Sequence, residues 1–197
     1  MIVCVLDLET TVSQLGDIMD PSAMHEENAC VMAAWLMIED GKTLGPVKTS
    51  VWYHNDQPHP DSREPFQNDL LRADLVVCHN TKFDVTWLVE MDFVLPAKLH
   101  CTMIGEYIFA RGTQQSKSLK ATAERRNVTR KKSELIDEIF AQGVGFERMP
   151  LEIVLEYAAA DVISCAEIYL AQIADLKEEH NSGLWPTFEL MNEMTWF

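Results

Sequence analysis

The sequence predicts an α/β fold, in which helices pack on a mixed β-sheet. Three patterns along the chain indicate this class. The chain opens with Ile2–Leu6, a short apolar run rich in β-branched residues that has the length of one buried strand. Two more strand patterns follow, separated by a turn, and short strands then alternate with helical patterns. The last third is helical, and its longest periodic segment runs from about Leu151 to Lys177.

Length and composition fit one globular domain. The chain has 197 residues, of which 47% are hydrophobic, so it can bury a substantial core. No apolar stretch approaches the roughly 20 residues that a membrane span needs, and the N-terminus shows no secretion signal. The five cysteines are odd in number, scattered and without a C-x-x-C pair, which indicates reduced core residues and argues against a zinc site. We therefore expect a cytoplasmic protein that contacts no membrane.

The first strand is followed by a loop and a predicted hairpin. Residues Thr11–Asn28 are acidic and without clear periodicity, which predicts a loop. Ala29–Glu39 and Val47–His54 are strand patterns, and Asp40-Gly41 between them is a strong turn signal. These two segments are therefore expected to pair with each other.

The rest of the chain alternates between helix and short strand before it becomes wholly helical. In chain order the predicted elements are helix Pro65–Arg72, strand Asp74–His79, helix Lys82–Met91, strand Leu99–Thr102, and helices Met103–Ala110, Ser118–Arg126, Ser133–Gln142 and Leu151–Lys177. Asn80-Thr81 is expected to cap the helix that starts at Lys82. Gly183–Phe197 is predicted to be a separate tail.

Two carboxylates stand at the end of the first strand. Asp7 and Glu9 are two residues apart, so on a strand they project from the same face. Side by side they repel each other unless protons or a cation compensate them, and oxygen ligands of this kind suit Mg²⁺ or Mn²⁺. Taken alone, the pair is better explained as a strand end that runs into an acidic turn.

Two further acids have informative surroundings. Asp84 falls in the first turn of a helix that follows a buried strand, and ligands commonly collect at the ends of such strands. Asp161 follows Tyr157 by four residues, a spacing that stacks the phenol and the carboxylate on one helix face. Each acid by itself also fits a helix cap or an exposed side chain.

Together these residues form a recognisable set. Asp7 and Glu9 in D-x-E-T, Asp84 in H-N-x-x-F-D and Tyr157 with Asp161 in Y-x-x-x-D resemble the three exonuclease motifs of the DEDD superfamily. The tyrosine is that of the DEDDy branch. The segment from Leu99 to Tyr107 is similar to the one that follows the second motif in the proofreading domain of bacterial and phage family A DNA polymerases.

The resemblance covers roughly Met1 to Ala174 and implies an RNase H-like fold, a mixed five-stranded sheet flanked by helices. It places a 3′–5′ exonuclease domain at residues 1–180. Residues 181–197 would be a C-terminal tail or linker towards a polymerase domain that this sequence does not contain.

The function implied by the resemblance is metal-dependent hydrolysis of single-stranded or frayed DNA 3′ ends to nucleoside 5′-monophosphates. The setting would be proofreading beside a phage-type family A polymerase, as a domain or subunit, in the host cytoplasm if the protein is phage-encoded. Two Mg²⁺ or Mn²⁺ ions per site supply the chemistry of such reactions. The resemblance leaves two alternatives, a DEDDy 3′–5′ exoribonuclease and a non-catalytic exonuclease-like binding module.

The resemblance also implies a role for each catalytic residue. Asp7 would bridge both ions, Glu9 and Asp161 would hold the ion that binds the attacking water, and Asp84 would support the second ion. Tyr157 would orient the water by a hydrogen bond, because a phenol of ordinary acidity is a poor general base at neutral pH.

The resemblance assigns roles to two neighbouring residues, and two others are interpreted as structural. Asn80 and Thr10 would hold the terminal nucleotide, and Asn80 could equally serve as the helix cap. Phe83 is expected in the core, and His79 is expected to be a hydrogen-bonded histidine at a strand end rather than a ligand.

The charge is unevenly distributed. The formal net charge is −15, which argues against tight non-specific binding of nucleic acid. From Lys117 to Lys132, however, the chain carries seven basic residues against Glu124 alone. This basic run is either a solvated helix face or a contact for a polyanion.

Overall fold

A computed structural model describes residues 1–15, 18–39, 41–96, 98–129 and 134–194. Parts of five predictions lie outside the described residues: residues 16 and 17 of the first loop, Asp40 of the first turn, the basic residues Arg130–Lys132, the helix start at Ser133 and the last three residues of the tail.

The described elements follow the order that the sequence predicts: strands first, then alternating helices and strands between residues 64 and 109, and helices after that. The strands are β1 (Ile2–Thr10), β2 (Ser13–Leu15), β3 (Ile18–Asp20), β4 (Cys30–Glu39), β5 (Lys42–Val51), β6 (Tyr53–His54), β7 (Gln57–Pro58), β8 (Leu75–Cys78) and β9 (Leu99–Cys101). The helices are α1 (Glu64–Arg72), α2 (Thr81–Glu90), α3 (Thr102–Phe109), α4 (Leu119–Arg126), α5 (Glu134–Ala141), α6 (Leu151–Lys177) and α7 (Trp185–Glu193). The bounds of α6 are those predicted.

Five strands form one mixed sheet in the order β5-β4-β1-β8-β9. The β4 strand is antiparallel to both β1 and β5, which confirms the predicted hairpin, whereas β1, β8 and β9 run parallel. The α/β class and the mixed five-stranded sheet are therefore confirmed. Because parallel strands end at the same edge of a sheet, the carboxyl ends of β1, β8 and β9 lie together.

Two strand predictions were wrong in detail. The predicted loop after β1 contains the short β2–β3 hairpin, whose three-residue strands are too short to show a period. The β5 strand begins at Lys42, five residues before the predicted start. The sequence did not predict this start because Pro46 is a residue that strands usually exclude. Here it is tolerated, since β5 is an edge strand and Pro46 lies where the pairing with β4 shifts register, opposite the segment from Trp35 to Met37.

Helices cover both faces of the sheet. Along β1, Val3 and Val5 pack in the cluster formed with α6, whereas Cys4, Leu6 and Leu8 pack in the cluster formed with α1 and α2. Alternate residues of β1 thus face two different cores, which explains its continuous apolar run. None of the described helices combines the length and apolar character that crossing a membrane would require.

The predicted tail is the helix α7, which packs against α3 and β9. Phe188 lies in a small buried cluster with Ile108 and Leu176, and Asn192 Oδ1 accepts a hydrogen bond from Cys101 N at 2.6 Å. The boundary between a catalytic domain and a tail at residue 180 stays a prediction.

A buried histidine should make stability pH-dependent. Burial lowers the pKa of His100 to about 4, although its Nε2–H donates to Gln172 Oε1 at 3.2 Å. An unfolded histidine titrates near pH 6.5, so the unfolded chain takes up a proton in this window and the folded chain does not. We expect the free energy of unfolding to fall as the pH drops from about 6.5 to about 4, by up to about 1.4 kcal/mol per pH unit from this group.

Denaturant unfolding across this pH range checks the expectation. The free energy of unfolding should fall less steeply with decreasing pH in His100→Phe, whose ring can keep the contacts with Tyr169 and Phe188. Equal slopes in the two proteins would assign the pH dependence to other groups.

Candidate active site

The two acids of β1 lie on the face that α6 covers, because they continue the odd-numbered series of Val3 and Val5. Glu9 is buried, with 6% of its surface exposed, and Asp7 is partly buried. The pairing of β1 with β4 shifts register between Glu9 and Thr10. Bulges of this kind change the direction of a strand and are common beside active sites.

Asp84 reaches the same place from the other side of the sheet. Although α2 packs on the opposite face, β8 ends at Cys78 and its last pairing with β1 joins Val77 to Val5. The backbone of β1 beyond Val5 is therefore accessible to a residue from α2. The Asp84 carboxylate accepts a hydrogen bond there, from Leu8 N to Oδ1 at 3.2 Å. Asp84 is thereby fixed to the residue between Asp7 and Glu9.

The electrostatics of Asp84 agree with this position. Burial raises the pKa of Asp84 well above its usual range, and the negative charge of Asp7 raises it further, while the hydrogen bond from Leu8 opposes both effects. A cation bound between the carboxylates would reverse the balance and favour the ionised forms.

Tyr157 and Asp161 are contributed by α6. They are one helical turn apart, and only 2% of Asp161 is exposed. The Tyr157 ring packs on Phe146, with ring centroids 5.5 Å apart. The carboxylates of Asp7, Glu9 and Asp161 each place an oxygen so that the three atoms lie within 4.8 Å of one another.

This donor set fits a divalent cation. It consists of carboxylate oxygens alone, which is the ligand type of Mg²⁺ and Mn²⁺. The acids are mutually close and mostly buried, an arrangement that is costly without positive charge. Asp7, Glu9 and Asp161 could hold a metal directly, and Asp84 lies against the same strand end.

The residues predicted to lie beside the acids differ in burial. Thr10 is buried directly after Glu9. The expected side-chain cap by Asn80 was wrong, because Asn80 adopts a left-handed conformation (φ 76°) and makes no side-chain capping hydrogen bond. The side chain of Asn80 is exposed at the edge where β8 ends. Phe83 is only partly buried, although it packs against the core.

His79 is hydrogen-bonded, as predicted. Its Nε2 lies 2.8 Å from the carbonyl oxygen of Lys117, and its Nδ1 lies 2.8 Å from Thr102 Oγ1. These contacts join the end of β8 to the start of α3 and to the segment before α4.

The basic run has a partly structural role that the sequence did not reveal. Arg125 Nη2 and Arg126 Nε both donate to the carboxylate of Glu106, which is 2% exposed, and the Arg125 distance is 2.8 Å. Arg126 also pairs with Asp175 at 2.8 Å. Two members of the run therefore join α3, α4 and α6 instead of forming a solvated face; a polyanion contact by the others stays a prediction.

Residues 56–173 match the model of a family described as 3′-5′ exonuclease. The match spans more than half of the chain, so the protein belongs to this family. It includes Asp84, Tyr157 and Asp161 but begins after β1. No curated protein sequence matches the chain significantly.

Solved structures share the fold. Brucella melitensis NrnC is similar in its pGG-bound form (TM-score 0.55, 16% identity) and with bound Mg²⁺ (TM-score 0.50, 17% identity); both matches cover 98% of this chain and 86% of the NrnC chain. Escherichia coli RNase D, an exoribonuclease involved in structured RNA processing, has a TM-score of 0.51 at 16% identity, and the match covers 97% of this chain and 45% of the RNase D chain. A family B DNA polymerase from the hyperthermophilic archaeon Pyrobaculum calidifontis has a TM-score of 0.56 at 13% identity, and the match covers 88% of this chain and 24% of the polymerase chain.

At these identities the likeness shows the fold alone. It confirms the predicted RNase H-like fold. The family match bears out the resemblance to 3′–5′ exonucleases. Exonucleases of this superfamily use divalent metal ions, and the acid cluster offers the matching ligand type.

Proposed function

We propose that this protein hydrolyses single-stranded or frayed DNA 3′ ends to nucleoside 5′-monophosphates with the help of two divalent metal ions. The observation that carries the proposal is the convergence of Asp7, Glu9 and Asp161 within 4.8 Å, with Asp84 bonded to the backbone between the first two. A non-catalytic module would have no need to keep this costly group of acids together.

The four acids would hold the metal ions and align the scissile phosphate with them. Asp7, which belongs to the triplet and also acts electrostatically on Asp84, would contact both ions. Glu9 and Asp161 would hold one ion and Asp84 the other. When bound, the metals supply a water of lowered pKa and compensate the charge that develops on the phosphate and on the departing 3′ oxygen.

Tyr157 would orient the attacking water. It stands one turn before Asp161 on the same helix face, and its packing on Phe146 restricts the ring. A hydrogen bond from the phenol would align the water without removing a proton from it. Thr10 and Asn80, at the ends of β1 and β8, would hold the terminal nucleotide.

Replacing Tyr157 by phenylalanine tests this role. The ring contact with Phe146 should persist, so we expect unchanged stability and a cleavage rate lowered by about 10- to 100-fold, the equivalent of one hydrogen bond to a charged group. Single-turnover kinetics measure the effect. Full activity in this variant would remove Tyr157 from the mechanism.

DNA as the substrate, and proofreading beside a family A polymerase domain or subunit, are supported by the likeness of the Leu99–Tyr107 segment to that class. The second candidate is a 3′–5′ exoribonuclease. It is favoured by the similarity to NrnC, whose structure was solved with pGG bound. The match covers 86% of the NrnC chain but only 24% of the chain of the family B polymerase.

One assay separates these functions. DNA and RNA oligonucleotides of equal sequence, labelled at the 5′ end, are incubated with the protein and Mg²⁺, Mn²⁺ or EDTA. A metal-dependent ladder that shortens the DNA from its 3′ end supports the proposal. Preferential shortening of RNA supports the second candidate, and retained binding without cleavage would indicate a non-catalytic module.

A further inference from the structure

Two clefts meet at Lys82, an exposed residue two positions before Asp84 in the first turn of α2. Asn80 and Lys82 line both of them. One cleft, of about 300 Å³, extends along α2 towards Trp87 and the residues that follow β3. The other, of about 310 Å³, lies between α2, α3 and α7 and is called the methionine cleft; its further lining includes Met103, Ile104, Met191 and Met194.

The charge around Lys82 is unlike that of the chain as a whole. The protein has a formal net charge of −15, yet none of the described residues that line these two clefts is acidic. A larger cleft of about 580 Å³ beside the start of β9, by contrast, is lined by Glu189 and Glu193. An anionic strand that enters either cleft therefore meets no carboxylate among the described lining residues.

The wall of the methionine cleft is held in place by packing. Phe188 anchors α7 in the cluster with Ile108 and Leu176, and Asn192 is bonded to the backbone of β9. Met191 is thus presented from a fixed helix, and Met194 directly follows that helix. Both lie outside the segment that matches the exonuclease family.

We propose that the methionine cleft is a nucleotide subsite for the strand on the 5′ side of the scissile bond. Lys82 pairs with a backbone phosphate, and the thioether wall receives an unstacked base. Sulfur makes favourable contacts with aromatic rings, and flexible methionines adapt to different ring shapes, as an enzyme that removes any nucleotide requires. This subsite rests on the proposed function, since it positions the strand for the same acids.

Salt dependence tests the lysine. KM for a deoxythymidine hexanucleotide is measured at several salt concentrations for the wild type and for Lys82→Ala. Loss of one phosphate contact should raise KM by about fivefold at low salt and reduce the slope of log KM against log salt by about 0.7. The matched control is Lys98→Ala, an exposed lysine before β9, which should behave as the wild type.

Substrate length tests the methionine wall. Met194→Glu places a carboxylate in the methionine cleft. The control Leu190→Glu places one on α7 but outside the cleft, and the two residues are similarly exposed, at 59% and 57%. We expect Met194→Glu to lower kcat/KM for the hexanucleotide by about tenfold relative to kcat/KM for the p-nitrophenyl ester of thymidine 5′-monophosphate, through repulsion and lost contact. Leu190→Glu should leave this ratio unchanged.

The p-nitrophenyl ester of thymidine 5′-monophosphate distinguishes failure of the subsite from failure of the function, because it has no 5′ extension. A wild type that cleaves neither the ester nor any oligonucleotide overturns the proposed function. A wild type that cleaves them, with Lys82→Ala and Met194→Glu indistinguishable from their controls, overturns the subsite alone.

Discussion

Replacing Asp161 by asparagine is expected to lower the cleavage rate by at least about 10³-fold, since metal-based charge stabilisation contributes several kcal/mol to a reaction of this type. Asparagine keeps the shape of the side chain but removes the charge that a metal needs. Asp84→Asn should have an effect of similar size. Single-turnover kinetics on a 5′-labelled oligonucleotide at saturating Mg²⁺ measure both.

The same substitutions should leave the metal-free fold intact. Asp161 is buried close to Asp7 and Glu9, so removing one negative charge relieves repulsion and should not lower the free energy of unfolding. The matched control is Asp92→Asn, an exposed aspartate with φ of 62°, a conformation that asparagine tolerates. A near-wild-type rate in either site variant would remove that acid from the metal site.

The largest expected effect on stability comes from Glu106→Gln. Glu106 accepts from Arg125, Arg126 and Gln172, and the Gln172 contact is 3.0 Å. Neutralising it removes the buried carboxylate that Arg125 and Arg126 share, although Arg126 keeps its pair with Asp175. We expect a loss of about 3 kcal/mol, near the lower end of the range for broken buried pairs, because the side chains of Arg125 and Arg126 are 30% and 12% exposed.

Urea unfolding at neutral pH measures this loss, with the substitution of the exposed Glu124 by glutamine as control.

The contribution of Glu106 should also depend on pH. Burial alone would raise the pKa of Glu106, but the hydrogen bonds from Gln172 and Arg125 and the charge of Arg126 lower it overall. The contribution of Glu106 should therefore be complete above about pH 4.3, the ordinary value for a glutamate, and be lost as the pH falls through the lower folded value. A stability difference that is small at neutral pH would contradict this account.

The sequence was sufficient to predict the strands and helices that are marked by a local pattern of residues. β1 is continuously apolar because it faces two cores, and α6 is a long helical segment that begins directly after Pro150. The acids could be grouped before any coordinates because their motifs fall at strand ends and in helical turns. Their proximity follows once the sheet order is known.

What the sequence did not reveal depends on contacts between distant residues. The ion pair between Arg126 and Glu106 joins α4 to α3, so part of the basic run stabilises the fold, and no local sequence pattern indicates this pair. The bulge that accommodates Pro46 depends on the pairing partner of an edge strand. Lys82 lies inside the second motif, but its place between two clefts depends on how α7 packs.

The central claim is that the four acids form one binding site for divalent cations. Diffraction data collected above the manganese absorption edge, from crystals soaked in Mn²⁺, test it most directly. We predict anomalous peaks about 2.0–2.6 Å from carboxylate oxygens of Asp7, Glu9, Asp84 and Asp161. Peaks only elsewhere, together with cleavage that persists in EDTA, would contradict the account.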